Sequence, residues 1–167
     1  MNIPHIFDLN SFGMGDPDKL LATIKLCKKH CNNKNFIICI QESKVANLSA
    51  TQLLILEQFK LEYALTPSVS KSGGLITIWS STLRGEASYP SSSHMNIYFP
   101  SLNLNLVNCY LSPHDYEAKV QRVIKSVKKF PVDSTIVVTG DFNCFSHDPV
   151  NTSGKLRSID RRITRYT

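Results

Sequence analysis

"IVVTGDFNC", Ile136 to Cys144, is an apolar run that stops at Gly140 and then presents an acid and an amide, Asp141 and Asn143. The run has the length and β-branched content of a buried strand. Gly, Asp and Asn are also common turn formers. Whether this tip is a turn or a site depends on what the other strand ends carry.

Working outward, "NFIICI" is a second continuous apolar run, and it stops at Gln41 and Glu42. Both runs predict strands buried on two faces. Ile3 to Leu9 reads as a short strand ending at Asn10. "SGGLITIWSS" predicts a strand entered through Gly73 and Gly74, with "LRGEASY" as its hairpin partner and "YALTPS" extended before it. "HMNIYFPS" and "LNLNLVNCYLSP" predict the next hairpin, and the alternation in "LNLNLVN" marks a half-exposed strand that closes on Tyr110.

Three helices fall between these strands. "DPDKLLATIKLCKKHCN" opens with acids and closes with bases, matching the helix dipole, and spaces Leu20, Leu21, Ile24, Leu26 and Cys27 helically. "NLSATQLLILEQF" offers Ser49 or Asn47 as its cap. "HDYEAKVQRVIKSVKKF" is amphipathic. Helices beside strands in this order predict one mixed α/β domain over residues 1–150, followed by a basic tail over 151–167.

The chain has 167 residues, enough for one domain with a core. It holds no apolar run near the roughly 20 residues of a membrane span. "MNIPHIFDLN" lacks a basic n-region and a long apolar stretch, so the expectation is an intracellular protein, nuclear or cytoplasmic, with no membrane partner. Five cysteines form no regular framework and read as reduced thiols. "CKKHC", Cys27 to Cys31, resembles half a zinc site. Such a site needs about four ligands and no second pair follows, so these read as helix-face cysteines beside Lys28 and Lys29.

The net charge of +6 is unevenly placed. Lys155, Arg157, Arg161, Arg162 and Arg165 stand against Asp160 alone in the last segment, and "KLCKKHCNNK" forms a second basic cluster. Such patches attract polyanions and bind phosphates in a salt-dependent, sequence-blind manner. DNA or another nucleic acid is the partner they imply; a solvated surface is the plainer alternative.

Four strand ends carry polar chemistry: Asn10, Glu42, Tyr110, and Asp141 with Asn143. Ligands and catalytic groups of α/β proteins gather at the carboxyl ends of strands. Oxygen donors at this density suit a hard cation such as magnesium, which takes one or two carboxylates and keeps several waters. Glu42 is then the metal ligand, Asp141 the residue that orients or deprotonates water, and Asn10, Asn143 and Tyr110 the groups that hold phosphate oxygens. Taken singly, each residue has an ordinary role as turn former, strand-end acid or core-edge aromatic.

"DLNSFG", "IICIQESK", "SGGLITIWS", "LVNCYLSP" and "VVTGDFNC", in this order, resemble the endonuclease/exonuclease/phosphatase superfamily. The nearest flavour is the apurinic-type endonuclease domain of non-LTR retrotransposons. The resemblance runs from about Ile6 to about Cys144. It implies a four-layer α/β sandwich of two face-to-face sheets, and magnesium-dependent hydrolysis of a phosphodiester, most simply DNA nicking. By position, Asn10 is similar to the family's first-strand asparagine, Glu42 to its magnesium-binding glutamate and Tyr110 to the tyrosine on the scissile phosphate. Asp141 and Asn143 are similar to the water-positioning aspartate and the asparagine beside it.

The family's C-terminal third, with a further acid and a closing Ser-Asp-His motif, has no counterpart in this sequence; "SHD", Ser146 to Asp148, holds the same letters in another order and reads as loop. The expectation is therefore a C-terminally truncated sandwich that exposes apolar sheet surface. A protein partner covering the incomplete sandwich follows from that expectation. So does the alternative function, a catalytically incomplete domain serving as a nucleic-acid-binding or structural subunit. Phosphoinositide, sphingolipid or nucleotide substrates stay open, because fold alone does not select a substrate.

Overall fold

Eight strands sort into two sheets in the computed structural model, which describes residues 4–69 and 72–143. The first sheet contains β1 (His5–Asn10), β2 (Phe36–Gln41), β3 (Leu61–Thr66) and β4 (Leu75–Ser80), in the order β1-β2-β4-β3. The second contains β5 (Glu86–Ser91), β6 (His94–Phe99), β7 (Leu104–Tyr110) and β8 (Thr135–Asp141), in sequence order. Only β1–β2 and β7–β8 run parallel. Each parallel pair needs a crossover. Helix α1 (Pro17–His30) supplies the first and α3 (Tyr116–Val127) the second, while α2 (Ala50–Gln58) joins β2 to β3.

Burial stacks these elements in four layers. Leu20 and Ile24 of α1 and Leu56 of α2 pack on Ile38, Ile40, Ile76 and Ile78 of the first sheet. The opposite face of that sheet, with Ile37, Cys39, Leu75 and Trp79, meets Met95, Ile97, Phe99 and Leu106 of the second. Trp79 and Phe99 meet edge to face across this inner layer, 5.9 Å between ring centres. Tyr116 and Val123 of α3 close the outer face of the second sheet over Val107 and Cys109. This is the four-layer α/β sandwich of two face-to-face sheets that the resemblance implied.

Helix ends follow local chemistry. Asp16 caps α1 by accepting from the Asp18 amide at 2.9 Å, and Lys28, Lys29 and His30 occupy its last turn. Ser49, not Asn47, caps α2, in a reciprocal box with Gln52. Cys27 and Cys31 are buried in the core, and burial pushes the Cys27 thiol up to about 11.

Three expectations are corrected. "LRGEASY" does not pair with the preceding strand: β4 sits between β2 and β3, and β5 pairs with β6. The chain changes sheets at Gly85, where a Cβ would meet Phe99, Ile97 and Trp79 within 2.9 Å. Only a glycine passes that gap without displacing the inner core. The other two corrections concern neighbours. "LNLNLVN", expected half-exposed, supplies β7 with its last five residues, all of them buried, and β7 as a whole is buried at six of its seven positions. "STIVVTG", expected buried, lies in β8 from Thr135 on, and β8 is an edge strand among the described residues, with Ile136 and Val138 more than a third exposed. Position within the sheet, not local pattern, sets their burial.

No helix among the described residues is long and apolar enough to cross a membrane. Lys155, Arg157, Arg161, Arg162 and Arg165, together with the "SHD" stretch, lie outside the described residues.

Candidate active site

Parallel pairing aligns the carboxyl ends of paired strands on one edge. Asn10 pairs with Gln41 at the end of β1–β2, and Tyr110 pairs with Asp141 at the end of β7–β8. Face-to-face packing then brings the two ends together. The Asn10 side-chain amide donates to the Glu42 carboxylate at 3.2 Å and to the Asp141 carboxylate at 2.7 Å. One amide nitrogen thus joins acids delivered by both sheets.

Glu42 sits at φ +49, left-handed backbone that a non-glycine residue rarely adopts. Its surroundings hold it there. The Gly13 amide donates to the Glu42 carbonyl at 2.8 Å, and the Ser11 hydroxyl donates to the Gln41 and Glu42 carbonyls at 3.1 and 3.2 Å. Ser43 donates its amide to Gly74 at 3.1 Å, and a Cβ on Gly74 would meet the Ser43 hydroxyl at 2.5 Å. Strained backbone over-determined in this way concentrates at functional sites.

Asp141 is fixed differently. Its second carboxylate oxygen accepts from the Asn143 amide at 2.9 Å, and its carbonyl accepts from the Leu111 amide at 2.8 Å. Gly140, at φ +139, lies so close to β7 that a Cβ would fall on the Cys109 carbonyl. The glycine before the aspartate is therefore a close-approach residue inside the strand as well as a mark of its end.

Tyr110 faces the same acids. Burial first, then a hydrogen bond to Glu42 and the negative charges of Glu42 and Asp141, push its phenol up to about 12. It stays a neutral donor across the physiological range. The five predicted site residues therefore converge, though unequally: Asn10, Glu42 and Asp141 bond directly, and Tyr110 interacts with Glu42. Asn143 touches Asp141 through its backbone and is itself exposed.

Beneath them lies a network that sequence reading passed over. Gln41, fully buried, donates to Asp8 at 2.8 Å and to Asn108 at 2.9 Å. Asn108, also fully buried, donates to the Ile76 carbonyl and the Thr77 hydroxyl, both at 3.1 Å. These amides tie the two sheets together directly under the cluster. A glutamine closing the otherwise apolar run "FIICIQ" was the available signal; nothing in the sequence tied it to Asn108.

Among the described residues, no group of three or more His, Cys, Asp or Glu side chains is arranged to hold a metal ion. Magnesium needs less from the protein: one or two carboxylates, with waters and substrate phosphate completing the shell. Glu42 and Asp141, drawn together by one amide, fit that requirement.

Several known structures share this architecture. An AP endonuclease from Archaeoglobus fulgidus aligns with a TM-score of 0.65 and 18% identity, over 98% of this chain and 69% of that one. A 3′-5′ exonuclease from Neisseria meningitidis aligns with a TM-score of 0.63 and 15% identity, over 96% of this chain and 68% of that one. A related Neisseria structure is a 3′ phosphatase bound to a product DNA hairpin. The human Nocturnin catalytic domain aligns with a TM-score of 0.52 and 9% identity, over 88% of this chain and 65% of that one. No protein-family model and no curated protein sequence matches the chain. At these identities the likeness is one of fold.

Proposed function

We propose that this chain carries a magnesium-dependent phosphodiester hydrolase site acting on nucleic acid, as a DNA-nicking endonuclease domain of retroelement type. The observation that carries the reading is the Asn10 amide bridging Glu42 and Asp141. DNA-processing enzymes among the fold neighbours support the substrate class.

Glu42 would hold the cation, which when bound neutralises phosphate charge and polarises the phosphoryl oxygen. Asp141 orients the attacking water and accepts its proton. Asn10 fixes the Asp141 carboxylate through its 2.7 Å bond, so that one oxygen keeps a set direction. Tyr110, held protonated, donates to a non-bridging phosphate oxygen, and Asn143 offers an exposed amide beside it. Such chemistry depends mainly on positioning and charge stabilisation. Lys155, Arg157, Arg161, Arg162 and Arg165 supply sequence-blind attraction for the backbone.

The test is nicking of supercoiled DNA with magnesium, with chelator, and with Glu42→Ala. Magnesium-dependent nicking lost in the variant supports the reading. Cleavage that neither chelator nor Glu42→Ala changes ends it.

A second reading keeps the fold and replaces turnover with binding, as a subunit whose open sheet edge a protein partner covers. The exposed Ile136 and Val138 of β8 favour it. It expects DNA affinity that falls steeply with salt, survives Glu42→Ala, and drops when Arg161, Arg162 and Arg165 are replaced together.

A further inference from the structure

The loop after β1 places an aromatic ring where folding alone has no use for it. Phe12 is 72% exposed, two residues past Asn10, and its φ is +50. A bulky side chain in left-handed backbone is an outlier, and leaving a phenyl ring in water gives up its burial energy. Its amide donates to the Asn10 side-chain carbonyl at 3.3 Å, so ring and site amide are mechanically linked.

The loop that presents Phe12 is tightly held. Ser11, Gly13 and Met14 donate their amides to the Gln41, Glu42 and Ser43 carbonyls at 2.9, 2.8 and 2.7 Å. The Lys19 ammonium donates to the Ser11 and Gly13 carbonyls at 2.6 and 2.9 Å, bracketing Phe12. From the facing loop, the exposed Lys44, at φ +55, places its ammonium 5.9 Å from the Phe12 ring centre. Two strained, exposed residues from adjacent loops therefore meet beside the acid cluster, with the ring still largely open to solvent.

We propose that Phe12 and Lys44 form a stacking subsite for an unpaired nucleobase next to the phosphate held at Glu42 and Asp141. The ring takes the face of the base, and the Lys44 ammonium lies against the ring and within range of the adjoining phosphate. Aromatic platforms backed by basic residues accept any base, because every base has a π-face. Holding the platform in advance removes the ordering cost that a mobile aromatic would incur on binding. The inference rests on the phosphodiesterase reading and narrows its substrate to nucleic acid with at least one unstacked base.

The test separates the two ideas by measuring binding rather than turnover. A fluorescent single-stranded oligothymidylate of roughly ten nucleotides, within the usual span of a single-strand site, is titrated into the full chain. An abasic strand of equal length is the comparison. Phe12→Ala weakens the thymidylate by roughly 5- to 150-fold, the range of one lost stack, and leaves the abasic strand unchanged. Phe12→Tyr restores affinity and Phe12→Leu does not. Lys44→Ala lowers the salt slope by about 0.7. Equal loss on both strands, full retention by Phe12→Leu, or no change with Phe12→Ala overturns the subsite. Failure of Glu42→Ala to abolish nicking overturns the catalytic reading while these binding results stand on their own.

Discussion

β7 and β8 lie side by side in parallel register, yet they reverse what their sequences predict. "LNLVNCY" carries two asparagines, and all its residues but Tyr110 are buried. "TIVVTGD" carries the uninterrupted apolar run Ile136–Val138, and it forms the sheet edge among the described residues, with Ile136 and Val138 exposed. The difference teaches what each strand is for. β7 lies between β6 and β8, with α3 packed over its Val107 and Cys109 on one face and the first sheet meeting its Leu106 and Asn108 on the other. Asn108 is satisfied there by Gln41, Ile76 and Thr77. β8 needs only to project Asp141 from its tip, and its attachment to β7 through Gly140 does that.

The largest expected effect lies at that tip. Asp141→Ala should lower magnesium-dependent nicking by roughly 10²–10⁴, as removal of a catalytic acid or base does. The melting temperature should hardly move, since Asp141 is half-buried at a sheet edge. A cooperative loss of fold would make β8 as structural as β7 and remove the contrast.

Next comes packing. Leu106→Ala in β7, at 0% exposure, should cost about 2–5 kcal/mol in urea unfolding. Ile136→Ala in β8, at 38% exposure, should cost only about 1–2 kcal/mol, because part of its surface never leaves water. Equal costs would show that β8 is covered in solution.

A smaller effect sharpens the role of the buried amides. Asn108→Leu removes an acceptor for Gln41 and leaves the Thr77 hydroxyl and Ile76 carbonyl without their donor, a loss of about 1–3 kcal/mol. If Asn108 also positions the site, its variant should lose more activity than an equally destabilised Leu106→Ala. Nicking rates at matched fraction folded check this.

The smallest effect concerns His94, buried in β6 beside β7 and bonded to Ser91 at 2.7 Å. Burial, and then the Arg122 charge on α3, hold its pKa below the ordinary 6.5. On acidification the unfolded chain takes up that proton first. The stabilising contribution is therefore complete above pH 6.5 and is lost as pH falls toward the folded value. Thermal melts between pH 7.5 and 5 should show a steeper decline for the native chain than for His94→Phe; parallel curves would exclude this linkage.

Much of the candidate site was legible because its residues sit at ends of apolar runs. Asn10, Glu42, Tyr110 and Asp141 could be picked out as polar groups closing strands, and the strands converge. Gln41, Asn108 and Phe12 were not, for different reasons. The two amides acquire meaning only across the sheet interface, through partners 33 and 67 positions from Gln41. Phe12 looks like any loop aromatic until its backbone angle and exposure are known.

The amino-acid order alone determined the element types, a first helix opening on acids, a second capped at Ser49 or Asn47, and the polar chemistry at the strand tips. These depend on side-chain period and on bonds between residues a few positions apart, which any local stretch carries. Tertiary structure alone decided which strands share a sheet, which lie at an edge, and which loop residues stand beside the acids. Those outcomes depend on contacts between segments far apart in the chain, as where Gly85 packs against Ile97 and Phe99 and Asn10 reaches Asp141. Strand pattern specifies what a residue can bury, and only the packed neighbours specify whether it does.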